Sequence, residues 1–232
     1  MNQITTCSFF KMAGFSNKLV GFHANAFESA CLKKIAGLSF FKFLGSSAKT
    51  GFSAMPNFVT CLLLCVWKSE ECASHFFSKN PLFKNYQKRS TEQFTVYLNS
   101  AESHGCWDGV KPFEKSKTLS LDKPVLVLTR ASIRLKKTMF VLEQSRQSQS
   151  LERYKGLAFS IGVGEWPLIQ QATISIWQTQ AEMLDYAYKN QKHKEVVMLT
   201  RKLNWYKEEM FASFVPYKLK GFWDGKNVEN WV

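Results

Sequence analysis

The chain contains no Cys-x-x-Cys pair, no His-Glu-x-x-His motif and only four histidines, at positions 23, 75, 104 and 193. Structural zinc sites and multi-histidine metal centres need such ligand groupings, so the sequence argues against both. Six cysteines occur, at 7, 31, 61, 65, 72 and 106, all in the first half. Cys61 and Cys65 lie in VTCLLLCVW, which reads as a buried strand with both thiols on one face, and they are read as inert buried thiols. No apolar run approaches the length of a membrane span. The opening MNQITTCSFFKM is too short and too polar for a signal sequence, so a cytoplasmic chain with reduced thiols is expected. No Ser-His-Asp order stands out. The stretch IGVGEWP (161–167) lacks the third glycine and the strand–helix context of a dinucleotide loop. Its glycines are better placed to bend or bulge a strand. Glu165 within it reads either as a polar group at a cavity mouth or as a loop carboxylate.

Aromatic and basic residues are plentiful. Phenylalanine alone accounts for 20 of 232 residues, and 45% of the chain is hydrophobic, enough for a substantial core rich in ring surface. The formal charge is +13. Such an excess fits an anionic partner, whether nucleic acid, phosphate or a membrane surface, or simply a lysine-rich solvated exterior. No nucleic-acid motif accompanies it, and no nucleic-acid partner is expected.

The chain writes Gly-x-Trp-Asp-Gly twice, as GCWDG at 105–109 and GFWDG at 221–225. The text upstream repeats loosely in the same order. With the Trp-Asp-Gly triplets superposed, Glu92 falls on Glu208, Val96 on Ala212 and Leu98 on Phe214. Trp67 matches Trp177, and GLSFFKFLGSS (37–47) matches GLAFSIGVGEW (156–166). The shifting offset places extra residues in the first copy between Gly45 and Phe58. This is a duplicated unit of about 110 residues, the length of one small domain.

Strands are expected at Ile4–Phe10, 37–45, Phe58–Trp67 and Phe94–Leu98, with a helix around Asn25–Ile35. Two helical pieces follow Ser69, a candidate N-cap, and Pro81, a first-turn proline. In the second copy, strands are expected at 123–132, 156–165, 172–177 and Phe211–Val215, and helices at Ile133–Gln144, after a Thr179–Glu182 capping box, and at His193–Glu209. Each half then reads β-α-β-β-α-β, the ferredoxin-like pattern. The expected fold class is α+β: repeat 1 over 1–110, a polar linker over 111–122 and repeat 2 over 123–232, the two sheets joining into an α+β barrel with a ligand cavity between sheet and helices.

His193 stands at the head of an amphipathic segment, with Val196, Val197 and Thr200 on its face. A neutral imidazole there suits axial ligation of a haem iron, and equally suits a histidine packed at a helix terminus. Phe83 occupies the matching place in the first copy. Arg130 and Arg134, four apart in LTRASIR (128–134), could clamp carboxylates such as haem propionates, or form a surface pair. Gln171, Ser175 and Trp177 share one face of a strand with Thr173. They are candidate catalytic residues if that face lines the cavity, and structural ones if it packs on helices.

The blocks FFKFLGSS, GFSAMPNF, LTRASIR, FSIGVGEWP, ISIW and WYKEEMFASF resemble, in order and spacing, the spheroidene monooxygenase family of carotenoid biosynthesis. The resemblance spans roughly residues 5–225. It implies a haem-containing oxygenase that introduces a keto group near the end of a linear carotenoid, using oxygen and an electron donor. The family's histidine near the start of the last long helix matches His193, and its Thr-Arg-Ala-x-x-Arg pattern matches Arg130 and Arg134. The chain departs from the pattern at Gln191-Lys192, Gln178 and Ser47, positions that bear on the substrate. The expected function is a monooxygenase with haem b held by His193, an apolar small-molecule substrate and possible peripheral contact with a membrane. Two alternatives stand beside it: an aldoxime dehydratase-like haem lyase on the same barrel, and a non-catalytic barrel that binds haem or another hydrophobic ligand.

Overall fold

The computed structural model describes residues 2–13, 26–47, 56–134, 154–166, 169–189, 198, 203 and 205–231. Strand β1 (Ile4–Met12) is followed by α1 (Ala26–Lys33), β2 (Leu38–Ser47), β3 (Pro56–Trp67), α2 (Glu70–Lys79), α3 (Pro81–Arg89) and β4 (Ser90–Gly105). The second half runs β5 (Val125–Ile133), β6 (Leu157–Trp166), β7 (Gln170–Trp177), α4 (Gln180–Lys189), β8 (Tyr206–Trp223) and the two-residue β9 (Lys226–Asn227), and ends in a 3-10 turn at Val228–Trp231. The strand order is β4-β1-β3-β2-β6-β7-β5-β8, and β4 also pairs with β8, so eight antiparallel strands close into a barrel. Each half contributes a four-stranded ferredoxin-like sheet. The expected α+β barrel of duplicated units is the observed architecture.

Alternation builds the barrel. Cys7, Phe9, Leu62, Leu64, Phe94, Val96, Leu126, Leu128, Ile174 and Phe214 form one buried cluster inside it. Side chains of intervening residues point outward to the helices: Phe10, Cys61, Cys65, Trp67 and Tyr97 in the first half, Val125, Val127 and Trp177 in the second. Eight strands leave an interior that side chains fill, so this space is core.

Several sequence expectations shift at their ends. Ser69 caps α2 by accepting from the Cys72 N–H, Asn80 caps α3 ahead of Pro81, and Thr179 accepts from the Glu182 N–H at 3.2 Å. The last strand begins at Tyr206, where a helix had been expected to continue to Glu209, and it runs to Trp223. Here Met210, Ala212 and Phe214 enter the barrel core at every second position, and that period outweighs the helix-favouring Lys-Glu-Glu run. Of the rest of that expected helix, Met198 and Leu203 are helical and Trp205 is not, while His193, like residues 135–144 of the helix expected after Ile133, lies outside the described residues. The linker is not wholly solvated. Phe113 is buried, its ring meeting that of Phe214 edge-on at 5.0 Å.

The repeated Trp-Asp-Gly has a structural answer. Asp108 and Gly109 have φ of 51° and 76°, and Asp224 and Gly225 have φ of 50° and 72°. Two successive positive φ values make a tight hairpin turn, for which Asp-Gly is a preferred pair. Trp107 and Trp223, just ahead of the turns, are buried in the barrel cluster. The register of β4 against β8 puts Gly105 opposite Met210 at one end and Phe94 opposite Gly221 at the other, so the two turns close opposite ends of the barrel. Each turn is capped by the other half. The Asp108 and Gly109 N–H groups donate to Glu208, and the Asp224 and Gly225 N–H groups donate to Glu92.

Gly105 has φ +83°, and a Cβ there would lie 2.1 Å from the Glu209 carbonyl oxygen. Gly105→Ala is expected to cost about 2 kcal/mol or more, lowering the melting temperature by roughly 5 °C or more. Gly109→Asn, at φ +76° with open space around its Cβ, should melt close to wild type. Thermal unfolding of the two variants checks the contrast.

Candidate functional site

The two halves carry equivalent strands, so their helix-facing surfaces can be compared position by position through the register. In the first half, one row across the sheet is Tyr97, Thr6, Cys65 and Phe41. The corresponding row in the second half is Ser213, Val127, Ser175 and Ser160. The next rows are Thr95, Ser8, Leu63 and Phe43 against Phe211, Thr129, Thr173 and Gly162. The third are Gln93, Phe10, Cys61 and Gly45 against Glu209, Ala131, Gln171 and Gly164. Four ring-bearing positions, Tyr97, Phe41, Phe43 and Phe10, are therefore Ser213, Ser160, Gly162 and Ala131 in the second half.

In the first half those rings are packed solid. Phe43 stacks on Tyr86 at 5.2 Å, and Phe10 contacts Tyr86 at 5.4 Å and Phe83 at 5.6 Å. Tyr86 also donates to the buried Glu28 at 2.9 Å, and burial pushes the Glu28 carboxyl above its ordinary range. The second half instead presents a floor of small, mostly neutral polar side chains. Three of its atoms, Ser160 Oγ, Gln171 Nε2 and Ser213 Oγ, are buried without a hydrogen-bond partner among the described residues. Buried polar groups are nearly always paired, so three orphans on one face call for an explanation, such as a bound group that supplies the partners.

The structure brings Gln171, Ser175 and Trp177 together on this floor. Gln171 and Ser175 are buried, and Trp177 closes the far end, donating to Ser175 Oγ at 3.0 Å and tilting against Tyr186 of α4 at 5.4 Å. Arg130 lies on the opposite, barrel-facing side of β5, its side chain 1% exposed. It pairs there with Glu208 and with Asp108 (3.0 Å), and lies over the Trp107 ring at 5.4 Å. Arg134 follows the end of β5 and is exposed, with its backbone N–H donating to the Trp205 carbonyl at 2.9 Å. His193 lies outside the described residues. Among the described residues no group of three or more His, Cys, Asp or Glu could hold a metal ion.

Sequence reasoning missed the ion cluster around Arg130. Trp107 Nε1 donates to Glu165 at 2.7 Å, and Lys42 bridges Glu165 (2.7 Å) and Asp108. The repeat alignment held a signal for part of it, since Glu92 and Glu208 were already superposed. At the opposite barrel end Lys11 alone bridges Glu92 (2.9 Å) and Asp224 (2.8 Å).

The fold is that of tandem-repeat α+β barrels. It superposes on an aldoxime dehydratase with a TM-score of 0.63 at 8% identity, covering 93% of this chain and 82% of that one. An aldoxime dehydratase in complex with butyraldoxime gives 0.62 at 8% identity, over 98% and 84%. No protein-family model matches the chain. Curated relatives are closer in sequence. Spheroidene monooxygenase of Cereibacter sphaeroides is 33% identical over 227 residues, 97% of this chain and 70% of that protein. The spheroidene monooxygenases of Rhodobacter capsulatus and Rubrivivax gelatinosus are 31% and 32% identical, each over 82% of this chain and over 80% and 73% of their own lengths. The chain belongs to the spheroidene monooxygenase family and is an oxidoreductase of the monooxygenase class. No helix among the described residues is long and apolar enough to cross a membrane.

Both turn-capping glutamates are held below their ordinary value of 4.5. Burial opposes ionisation of Glu208, but the N–H groups of Gly109 and Asp108 and the Arg130 guanidinium outweigh it. For Glu92 the Lys11 ammonium leads, followed by the Gly225 N–H. A depressed folded pKa gives stability that is present above the unfolded value and lost as pH falls through the folded one. The melting temperature should therefore fall as pH drops below about 4.5. The Glu92→Gln/Glu208→Gln double variant should start lower at neutral pH and show a shallower acid slope. An unchanged slope would mean that other carboxylates govern acid unfolding.

Proposed function

We propose that the chain is a haem-dependent monooxygenase acting on an apolar substrate, a linear carotenoid into which it introduces a keto group, with the small-residue floor of the second half as its ligand site. One observation supports the reading: the second half lacks the four rings that fill the first, and three polar atoms of its floor, two of them at ring positions, are buried without a partner among the described residues. A floor of Ser160, Gly162, Thr173 and Ala131 suits a broad flat group, and the residues present fit haem b. His193 would hold it, and Arg134, at the end of a floor strand, is the candidate for its carboxylates. When bound, such a group supplies the redox chemistry of oxygen insertion, with electrons from a separate donor.

The chain's own residues have defined tasks in this reading. The Gln171 amide and the Ser160 and Ser213 hydroxyls donate to oxygen atoms of whatever lies on the floor. Ser175, held by Trp177, keeps the row in register. Trp177 and Tyr186 wall the floor with apolar surface and exclude water at that end. The basic exterior would draw the protein to an anionic lipid surface, where a carotenoid is dissolved. The name borne by its relatives and the order of the family blocks support the carotenoid as substrate.

The test is hemin titration of the purified protein, followed in the Soret region. Wild type should bind one equivalent, His193→Ala should lose the axial-ligand band, and Ser160→Phe/Gly162→Phe should block uptake while far-ultraviolet dichroism stays unchanged. Normal hemin uptake by both variants would overturn this reading of the site. Loaded protein should then oxygenate a linear carotenoid only with oxygen and a reductant. Turnover of an aldoxime without either would assign lyase chemistry instead, and hemin uptake without any turnover would assign a binding barrel.

A further inference from the structure

The ion cluster at the Trp107 end is larger than its turn requires. At the Trp223 end one lysine serves the turn. Through the register, Arg130 stands where the first half has Phe9, since Arg130 faces Ala172 as Phe9 faces Leu62. At the Trp223 end the Phe9 ring approaches Trp223 at 6.5 Å, so an apolar ring can occupy this place in the barrel. A buried guanidinium is costly to desolvate and stabilises a fold less than a well-packed ring does. Even in its cluster, Arg130 leaves Nε buried without a partner among the described residues. Closing the barrel end therefore does not explain the charge.

What lies across the sheet does. Arg130, Glu165 and Glu208 are the chain neighbours of Ala131, Gly164 and Glu209. Those three, with Gln171, form the last row of the floor. Successive strand residues point to opposite faces. The cluster therefore stands on the barrel face at the level of the Gln171 row and ties together β5, β6 and β8. Strand β7, which carries Gln171, is held between β5 and β6. At this level β6 has little other support on its outer edge, because among the described residues β2 pairs with it through Gly45 opposite Gly164 and Ser46 opposite Val163 alone. The Lys42–Glu165 pair reinforces that short seam.

We propose that Arg130 and Glu165 are positioning residues. By joining β5, β6 and β8 from the barrel side, they fix the strand spacing at which the unpartnered Gln171 amide meets the group bound on the floor. The inference rests on the floor being the ligand site. It assigns the signature arginine and glutamate of LTRASIR and IGVGEWP to the geometry of that site rather than to contact with the ligand.

Glu165→Gln tests it, because the amide oxygen still accepts from Trp107 while the charge facing Lys42 and Arg130 is gone. Glu92→Gln is the control, the same chemical change in the turn cluster at the other barrel end, behind the ring-filled half. Hydrogen exchange is read on peptides spanning 157–166 and 170–177, with hemin titration alongside. Glu165→Gln should speed exchange across 170–177 several-fold, weaken hemin binding about tenfold and shift the Soret maximum. Glu165→Asp should recover part of each effect, and Glu92→Gln should leave both peptides and the spectrum at wild-type values. Equal effects from the two glutamine variants, or no change across 170–177, would reduce the cluster to a barrel plug and overturn the proposal. Failure of wild type to bind hemin would sink the haem reading, while the exchange data would still decide whether the cluster holds the Gln171 strand.

Discussion

Barrel closure is the constraint on which the rest of the structure depends. A ferredoxin-like sheet of four strands has two free edges, and each half of this chain solves its edge problem with the other half. The long seam, β4 against β8, runs from Phe94 opposite Gly221 to Gly105 opposite Met210. At either end of it a glutamate from one half accepts the N–H groups of the other half's Trp-Asp-Gly turn. These N–H groups point away from their own hairpin and would otherwise lack a protein partner. Neither turn is complete within its own repeat, so the duplicated unit is closed only as a pair.

Closure also explains why the halves could diverge on one face and not the other. Interior residues contact the opposite half across the barrel, as Phe9 and Phe94 contact Phe159 at 5.2 Å. A change there disturbs both sheets at once. The helix-facing surfaces have no such partner, because each half packs on its own helices. One surface has filled with rings, including Phe83 at the place that matches His193, and the other carries mostly small side chains, serine, threonine, glycine and alanine, with Phe211 its one ring across the three rows. Arg130, buried in the place of Phe9 with its paired carboxylates, lies behind that second surface.

The architecture was legible in the sequence because duplication and alternation are both periodic signals. Trp67 over Trp177 and Glu92 over Glu208 are enough to establish the correspondence of the halves. The small-residue floor was half-legible: Gln171, Ser175 and Trp177 could be put on one face, but which face needed the register. Arg130 and Arg134 looked alike as a pair four apart, yet one is buried in an ion cluster and the other follows the strand end at the surface. A strand pattern gives parity and not depth, and charged residues inside a barrel run against the ordinary expectation of burial. The start of β8 was misplaced for a related reason. Glu208 and Glu209 favour a helix locally, and Asp108, Gly109 and Arg130, distant in sequence, add to the burial of Met210, Ala212 and Phe214 in favouring a strand glutamate at 208.

The division of polarity across one sheet has a chemical consequence. On the barrel side of the second half stand full charges, paired with one another and sealed by Trp107. On the helix side stand mainly neutral groups, with the one carboxylate, Glu209, exposed at the edge of the last row. A neutral hydroxyl or amide can hydrogen-bond an oxygen atom without demanding a counter-charge, whereas a carboxylate or guanidinium on the floor would repel an apolar ligand through its own desolvation. Keeping Arg130 and Glu165 behind the sheet lets ionic contacts, among the stronger polar interactions available to a protein, stiffen the strands, while the surface they stiffen stays compatible with a greasy substrate. Charge acts here through the backbone, one residue removed from the surface it shapes.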